Sequence, residues 1–245
     1  MTSCPNCLNQ FSGNYCNNCG QKKIVGRLSS KIVFTDFVQD VFLFDSKLFK
    51  TIIDLILKPA KLVKSYLKGK HKSFFPPFKL FLFSSTAYLI VFHFFGDDML
   101  NYRANLYDGG TEALDDDLQI TTLIKKNLNI GYFLLVPILS FFISKFYRSL
   151  NYNFAEAFIF TLYIIGISLL LSSIFITLGQ ITPVFYTVLT VIQLSYILFA
   201  IVQFTNSKSL WGIIKTLLIM VLSYATLVII SSILVGVYFI YFVDN

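Results

Sequence analysis

The residues best equipped for chemistry are four cysteines near the start of the chain, spaced Cys4-x2-Cys7-x8-Cys16-x2-Cys19. In each C-x2-C pair a tight turn brings two thiolates to one side, and two such pairs can converge tetrahedrally on one Zn2+. Gly20 after Cys19 accepts the backbone angles such a turn needs, whereas Leu8 holds the matching place after Cys7. Phe11 and Tyr15 flank Ser12-Gly13-Asn14, a turn-rich tip whose two aromatics are expected to cover the metal. A pair of disulfides would suit an exported domain, but the basic segment that follows points to the cytoplasm, where thiols stay reduced. A redox C-x2-C would not need a second pair so close by. Zn2+ bound by Cys4, Cys7, Cys16 and Cys19 is therefore expected. Four protein ligands leave no open position for a catalytic water, which makes the ion structural. About 20 residues cannot fold on a hydrophobic core, so metal would supply the stability of this ribbon, residues 1–23.

The remaining 222 residues are of another kind. The 245-residue chain is 56% hydrophobic and only 13% charged, about half the charge of an ordinary soluble domain. Long uncharged apolar runs place it among integral membrane proteins. Polar residues follow Met1, so no cleavable signal peptide is expected. The net charge of +7 is unevenly placed: residues 1–79 hold 13 Lys or Arg against 4 Asp, while residues 96–127 hold 7 acidic residues against Arg103, Lys125 and Lys126. Basic residues beside a span have a simpler cause than nucleic acid, namely retention of Lys and Arg on the cytoplasmic side. No nucleic-acid partner is expected.

Residues 24–77 read as basic amphipathic helices beside the membrane. Charges at 47, 50, 54, 58, 61, 64 and 68 advance in steps of three and four and trace one helical stripe. Lys47, Lys50, Lys58, Lys61, Lys64 and Lys68 are the candidate ligands for anionic headgroups. Leu48, Phe49, Ile52, Ile53, Leu55, Ile56, Leu62, Val63, Tyr66 and Leu67 fall on the other side, with Asp45 or Ser46 as N-cap. Pro59 predicts a kink or two short helices near Lys58. A less regular amphipathic stretch runs over 30–44. These helices are expected to lie in the interface, lysines toward the headgroups; the alternative is that their apolar side packs on the protein's own bundle or its ribbon.

The segment "KTIIDLILKPAKLVKSYLKGKHKSFFPPFKLFLF" resembles the bacterial membrane-protein family called domain of unknown function 3667, and "YCNNCGQK" is similar to short ribbons that open many such proteins. Thr51, Pro59, Tyr66, Gly69 and Pro77 carry the resemblance, while Ala60 and His71 depart from it. It implies a ribbon followed by a multi-span bundle and brings no activity with it.

Five apolar stretches are expected to span a hydrocarbon core that needs about 20 residues each: 78–95, 130–146, 154–178, 183–204 and 216–243. The fold class expected is thus an all-α membrane protein, a five-span bundle over 78–245. An acidic stretch, 96–127, reads most simply as a solvated external loop. Lys79, Lys145, Arg148, Lys208 and Lys215 mark inner flanks, so the N-terminus is expected in the cytoplasm and the C-terminus outside, in the bacterial inner membrane. No Asp, Glu, Lys, Arg or His occurs between Ala157 and Ser207 or between Thr216 and Val243, where ion-coupled transport usually leaves ionisable groups. Glu156 and His93 read as interfacial or bundle-facing, and Gln193 as an interhelical hydrogen bond. No nucleophile, base and acid can be assembled and no glycine-rich phosphate loop is present, so the chain is not expected to be an enzyme.

The expected role is an interaction, assembly or regulatory factor whose ribbon meets a cytoplasmic or membrane protein, with anionic lipids at the lysines. The alternative is a transporter or lipid-handling protein for an uncharged or amphipathic molecule. The charge distribution makes one direct prediction. A cysteine placed at Asn105, with the four native cysteines changed to serine, reacts with an impermeant thiol reagent in intact spheroplasts; labelling only after lysis reverses the assigned orientation.

Overall fold

The computed structural model describes residues 2–21, 23, 47–107 and 115–242. The amphipathic stretch 30–44 and the N-cap at Asp45 or Ser46 lie outside the described residues. The ribbon carries a two-stranded antiparallel sheet, β1 (Thr2–Ser3) and β2 (Gln10–Phe11), with Thr2 opposite Phe11 and Ser3 opposite Gln10. Among the described residues seven α-helices follow: α1 (Lys47–Leu57), α2 (Pro59–Leu67), α3 (Pro77–Tyr107), α4 (Asp115–Phe146), α5 (Phe154–Gly179), α6 (Val184–Thr205) and α7 (Leu210–Phe242).

Pro59 divides α1 from α2 as expected: it cannot donate to the helix ladder and instead takes the first position of α2, where no donor is needed. Gly69, at φ 99°, then turns the chain in a conformation that side chains disfavour. Among the described residues four helical stretches are long and apolar enough to cross a membrane: His71–Arg103, Phe154–Gly179, Val184–Thr205 and Leu210–Leu234. Five were expected. The fifth, over 130–146, overlaps the apolar helical stretch Gly131–Phe146 of α4, which among the described residues is shorter than the other four. The stretch 96–127 differs from its expectation too. Helix covers 96–107 at the end of α3 and 115–127 at the start of α4, so the acidic residues lie largely on helical extensions rather than on one long loop.

α5 is the hub of the bundle. It packs against α3, α4 and α6, while α7 closes the far side against α4 and α6. The buried share is 78% for the apolar window of α5 against 17% for that of α7, so α5 is sheathed by protein and α7 leaves most of its surface to lipid. Its N-terminus is closed by a reciprocal cap: the Glu156 N–H donates to Asn153 Oδ1 at 2.8 Å and the Asn153 N–H to Glu156 Oε2 at 2.9 Å. Glu156 is thereby assigned to a capping box.

Lipid offers helices no hydrophobic drive to associate, so close packing and interhelical hydrogen bonds must hold them. Ser140 and Thr161 join α4 to α5 with hydroxyls 2.6 Å apart. Gln193 Nε2 on α6 donates to the Ser168 carbonyl of α5 at 3.2 Å and to the Ser172 hydroxyl, the interhelical bond its mid-span position predicts. Tyr147, beyond α4, meets Thr216 of α7 at 2.9 Å. Gly166 lets α3 and α5 come close: a Cβ there would sit 3.4 Å from the Phe81 Cα. That distance makes a size threshold. Gly166→Ala should fold normally, whereas Gly166→Leu must part α3 from α5 and should lower stability by about 1–3 kcal/mol, read as thermal unfolding in detergent.

Candidate metal centre

The ribbon is built from one turn used twice. The Leu8 N–H donates to the Cys4 carbonyl and the Gly20 N–H to the Cys16 carbonyl, each at 2.8 Å. The Cys4 N–H then donates to Asn9 O and the Cys16 N–H to Gln21 O, again at 2.8 Å. Both turns need a left-handed residue, and Leu8 (φ 64°) and Gly20 (φ 68°) supply it. All four sulfurs converge within 4.8 Å of one another. The Cys4–Cys19 and Cys7–Cys16 sulfurs are 3.6 Å apart, and all four thiols are free. A tetrahedral thiolate site with bonds of about 2.3 Å has sulfurs about 3.8 Å apart, so the cluster fits a four-sulfur metal site. Cys4 and Cys16 are buried, with Phe11 packed against them. Tyr15 does not share in this cover: it is 58% exposed, because the tip turns its ring outward.

What the sequence did not reveal is how the ribbon is mounted. The Lys72 N–H donates to Gln21 Oε1 at 3.0 Å, and the Ser73 hydroxyl to Asn6 Oδ1 at 2.5 Å. One contact thus comes from each knuckle, and both end on the 3-10 turn His71–Ser73 that leads into α3. Gln21 is 2% exposed, so its amide is a buried polar group that needs such a partner.

The turn is itself locked. The Phe75 N–H donates to the buried Thr51 Oγ1 of α1 at 3.0 Å, and the Tyr163 hydroxyl of α5 donates to the Phe75 carbonyl at 2.7 Å. His71 stacks on Tyr66 at 4.2 Å, and Tyr66 meets Tyr163 edge-on at 5.7 Å. Ribbon, α1, α2, α3 and α5 therefore meet at one corner of the bundle.

The lysine helices are set by the same corner. Leu48, Thr51 and Leu55 of α1 are buried, as are Ala60, Leu62 and Val63 of α2. α2 rests on α5 and α6, and the Tyr196 hydroxyl donates to the Leu55 carbonyl at 3.2 Å. One apolar side thus packs on the bundle. A second row on α1, made of Phe49, Ile53, Ile56 and Leu57, stays exposed, and the charged stripe lies between the two. Of the six lysines, Lys50, Lys58, Lys61 and Lys68 are exposed, while Lys47 and Lys64 are half-buried. Lys64 Nζ lies 5.9 Å from the centroid of the Phe204 ring; burial and then the neighbouring Lys68 ammonium hold its pKa below the usual lysine range. His93 is exposed on α3.

Four long apolar helices, a short fifth and a four-cysteine cluster define a multi-pass helical membrane protein with a candidate metal site. Residues 45–89 match the model of the family described as "Protein of unknown function (DUF3667)", the family the sequence resembles. No curated protein and no solved structure matches the chain. The matched segment covers α1, α2, the locked turn and the first part of α3, and each residue that carries the resemblance has a physical task there. Thr51 holds Phe75, Pro59 starts α2, Tyr66 stacks on His71, Gly69 turns the chain and Pro77 opens α3.

Leu8 generates a prediction. A left-handed conformation costs a residue with a Cβ about 1–2 kcal/mol, and the Leu8 side chain is 77% exposed, so little packing offsets that cost. Leu8→Gly should make the ribbon hold metal more tightly against a chelator, by roughly 1 kcal/mol. Leu8→Ala keeps the Cβ and should leave retention unchanged.

Proposed function

We propose that this is a non-enzymatic interaction or assembly factor of the bacterial inner membrane, with a cytoplasmic ribbon closed around one structural Zn2+. In this reading Gly131–Phe146 completes a fifth pass, and the C-terminus lies outside. The observation that carries it is the double attachment of the ribbon to the His71–Ser73 turn. A ribbon fastened by Asn6 and Gln21 presents Leu8 and Tyr15, both exposed, at a fixed place beside the membrane, which suits a docking handle. Four cysteine ligands leave the ion no open position for chemistry.

Lipid forms the second half of this reading. The exposed row Phe49, Ile53, Ile56 and Leu57 beside Lys50, Lys58, Lys61 and Lys68 suits a helix lying in the interface with its lysines at anionic headgroups. Exposed Trp211 at the start of α7 fits an interfacial anchor at the same end. The alternative role, handling of an uncharged or amphipathic molecule, is favoured by a polar cavity at the other end of the bundle.

Two experiments test the reading. Purified protein should carry one zinc per chain, and Cys16→Ser should lose it and unfold the ribbon while the bundle stays inserted, since such sites contribute about 10–16 kcal/mol in peptides. Affinity purification from native membranes should recover a protein with the wild type that Cys16→Ser and the doubly changed Leu8→Ser, Tyr15→Ser variant both lose. Well under one metal per chain, or a co-purifying set indifferent to all three changes, refutes the handle.

For the lysines, full-length protein in nanodiscs should unfold at higher temperature in anionic than in neutral lipid, by a margin that salt reduces. Each lysine near such a surface is worth about 1 kcal/mol, so Lys50, Lys58, Lys61 and Lys68 changed together to glutamate should abolish the margin. An unchanged margin removes the headgroup role.

A further inference from the structure

At the end of the bundle away from the ribbon, a cavity of about 210 Å³ lies among α3, α4, α5, α6 and α7. Its polar wall is made of Arg103, Tyr88, Tyr132, Thr190, Gln193 and Tyr224. Among the described residues that line it, Arg103 is the one formal charge and none is a carboxylate. The guanidinium is held in place by a neutral acceptor: Arg103 Nη2 donates to Thr190 Oγ1 at 2.9 Å. That bond uses one of its five N–H donors. Tyr88 and Tyr132 stand edge-on at 5.3 Å, so two phenol groups border the same space.

Depth matters as much as composition. Arg103 is 26 residues beyond Pro77 in one helix, a rise of about 39 Å, which exceeds a hydrocarbon core of about 30 Å. The guanidinium therefore lies toward the far end of α3, level with Thr190 of α6, while Phe92 and Leu194 on the same wall offer an apolar surface. An inward-facing cation with no carboxylate among the described residues of its cavity, bordered by hydroxyl groups, is matched by an anion with several acceptor oxygens. A cavity of about 210 Å³ admits a group the size of a phosphate.

We infer that this cavity binds the phosphate group of a small anion or of an amphiphile, with Arg103 as the principal contact and the tyrosine hydroxyls completing its shell. The inference stands apart from the ribbon's role, since no residue of the ribbon, α1 or α2 lines the cavity.

The test uses the full-length protein in neutral phosphatidylcholine nanodiscs, titrated in parallel with inorganic phosphate, dioctanoyl phosphatidic acid and dioctanoyl glycerol. Binding is read by calorimetry and by native mass spectrometry. Saturable one-to-one binding of phosphate or phosphatidic acid, at least tenfold tighter than of dioctanoyl glycerol, supports the inference, and the tighter of the two names the source. Arg103→Gln should weaken that binding at least tenfold with unchanged thermal unfolding, and Arg103→Lys should recover part of it. Equal affinity for phosphatidic acid and dioctanoyl glycerol overturns the inference, as does absence of binding by either phosphate compound. Both outcomes are read on the wild type and need no variant. Binding that Arg103→Gln leaves intact overturns it as well.

Discussion

The backbone of Phe75 is the point on which the architecture turns. It precedes Pro76 and Pro77, so helix cannot supply its hydrogen bonds, and its side chain is buried at the head of α3. Buried peptide groups must find partners, and here two side chains provide them: Thr51 accepts from the N–H and Tyr163 donates to the carbonyl. One partner belongs to the lysine helix and the other to the hub helix. Satisfying a single residue's backbone therefore fixes α1, α3 and α5 relative to one another. The turn just before it is left with the Lys72 amide and the Ser73 hydroxyl directed at the ribbon. The small four-cysteine domain is thereby seated on the corner where α1, α3 and α5 meet.

The two ends of the bundle differ in kind. Near the ribbon, polar contacts are structural: the Asn153–Glu156 cap, the Tyr147–Thr216 pair and the Phe75 corner each satisfy their own partners. At the other end Arg103 and several phenols face a space that the protein does not fill. A chain with no acid or base between Ala157 and Ser207 concentrates its charged groups toward the two ends of the bundle. The recognition we propose belongs there, protein and headgroups on one side and an anion on the other.

Periodicity and spacing carried the reading of the sequence where local order decides the outcome. Two C-x2-C pairs foretold the sulfur cluster, Pro59 the break between α1 and α2, and the apolar runs 154–178 and 183–204 gave α5 and α6 within a residue or two at each end. The failures share a cause. Apolar content marks where lipid contact stops, not where helix stops, so α3 continues through Asp97 and Asp98 to Tyr107 and the acidic stretch was mistaken for a loop. One amphipathic side was read on α1, yet its apolar residues divide between the bundle and an exposed row, a distinction that only tertiary packing draws. Asn6 to Ser73 and Gln21 to Lys72 join residues 67 and 51 positions apart through single polar atoms, which leave no periodic trace. Arg103 counted only toward a charge balance until four other helices closed around it.

Amide hydrogen exchange on the full-length protein, with its metal and after chelation, addresses the central claim that the metal-held ribbon is fastened to the corner. Removing the metal should speed exchange at the Leu8, Cys16 and Gly20 amides, and at the Lys72 amide with them, because Gln21 leaves when its knuckle opens. The Phe75 amide, held by Thr51, should stay slow. A ribbon that loosens while Lys72 keeps its protection would contradict the account, as would a ribbon indifferent to chelation.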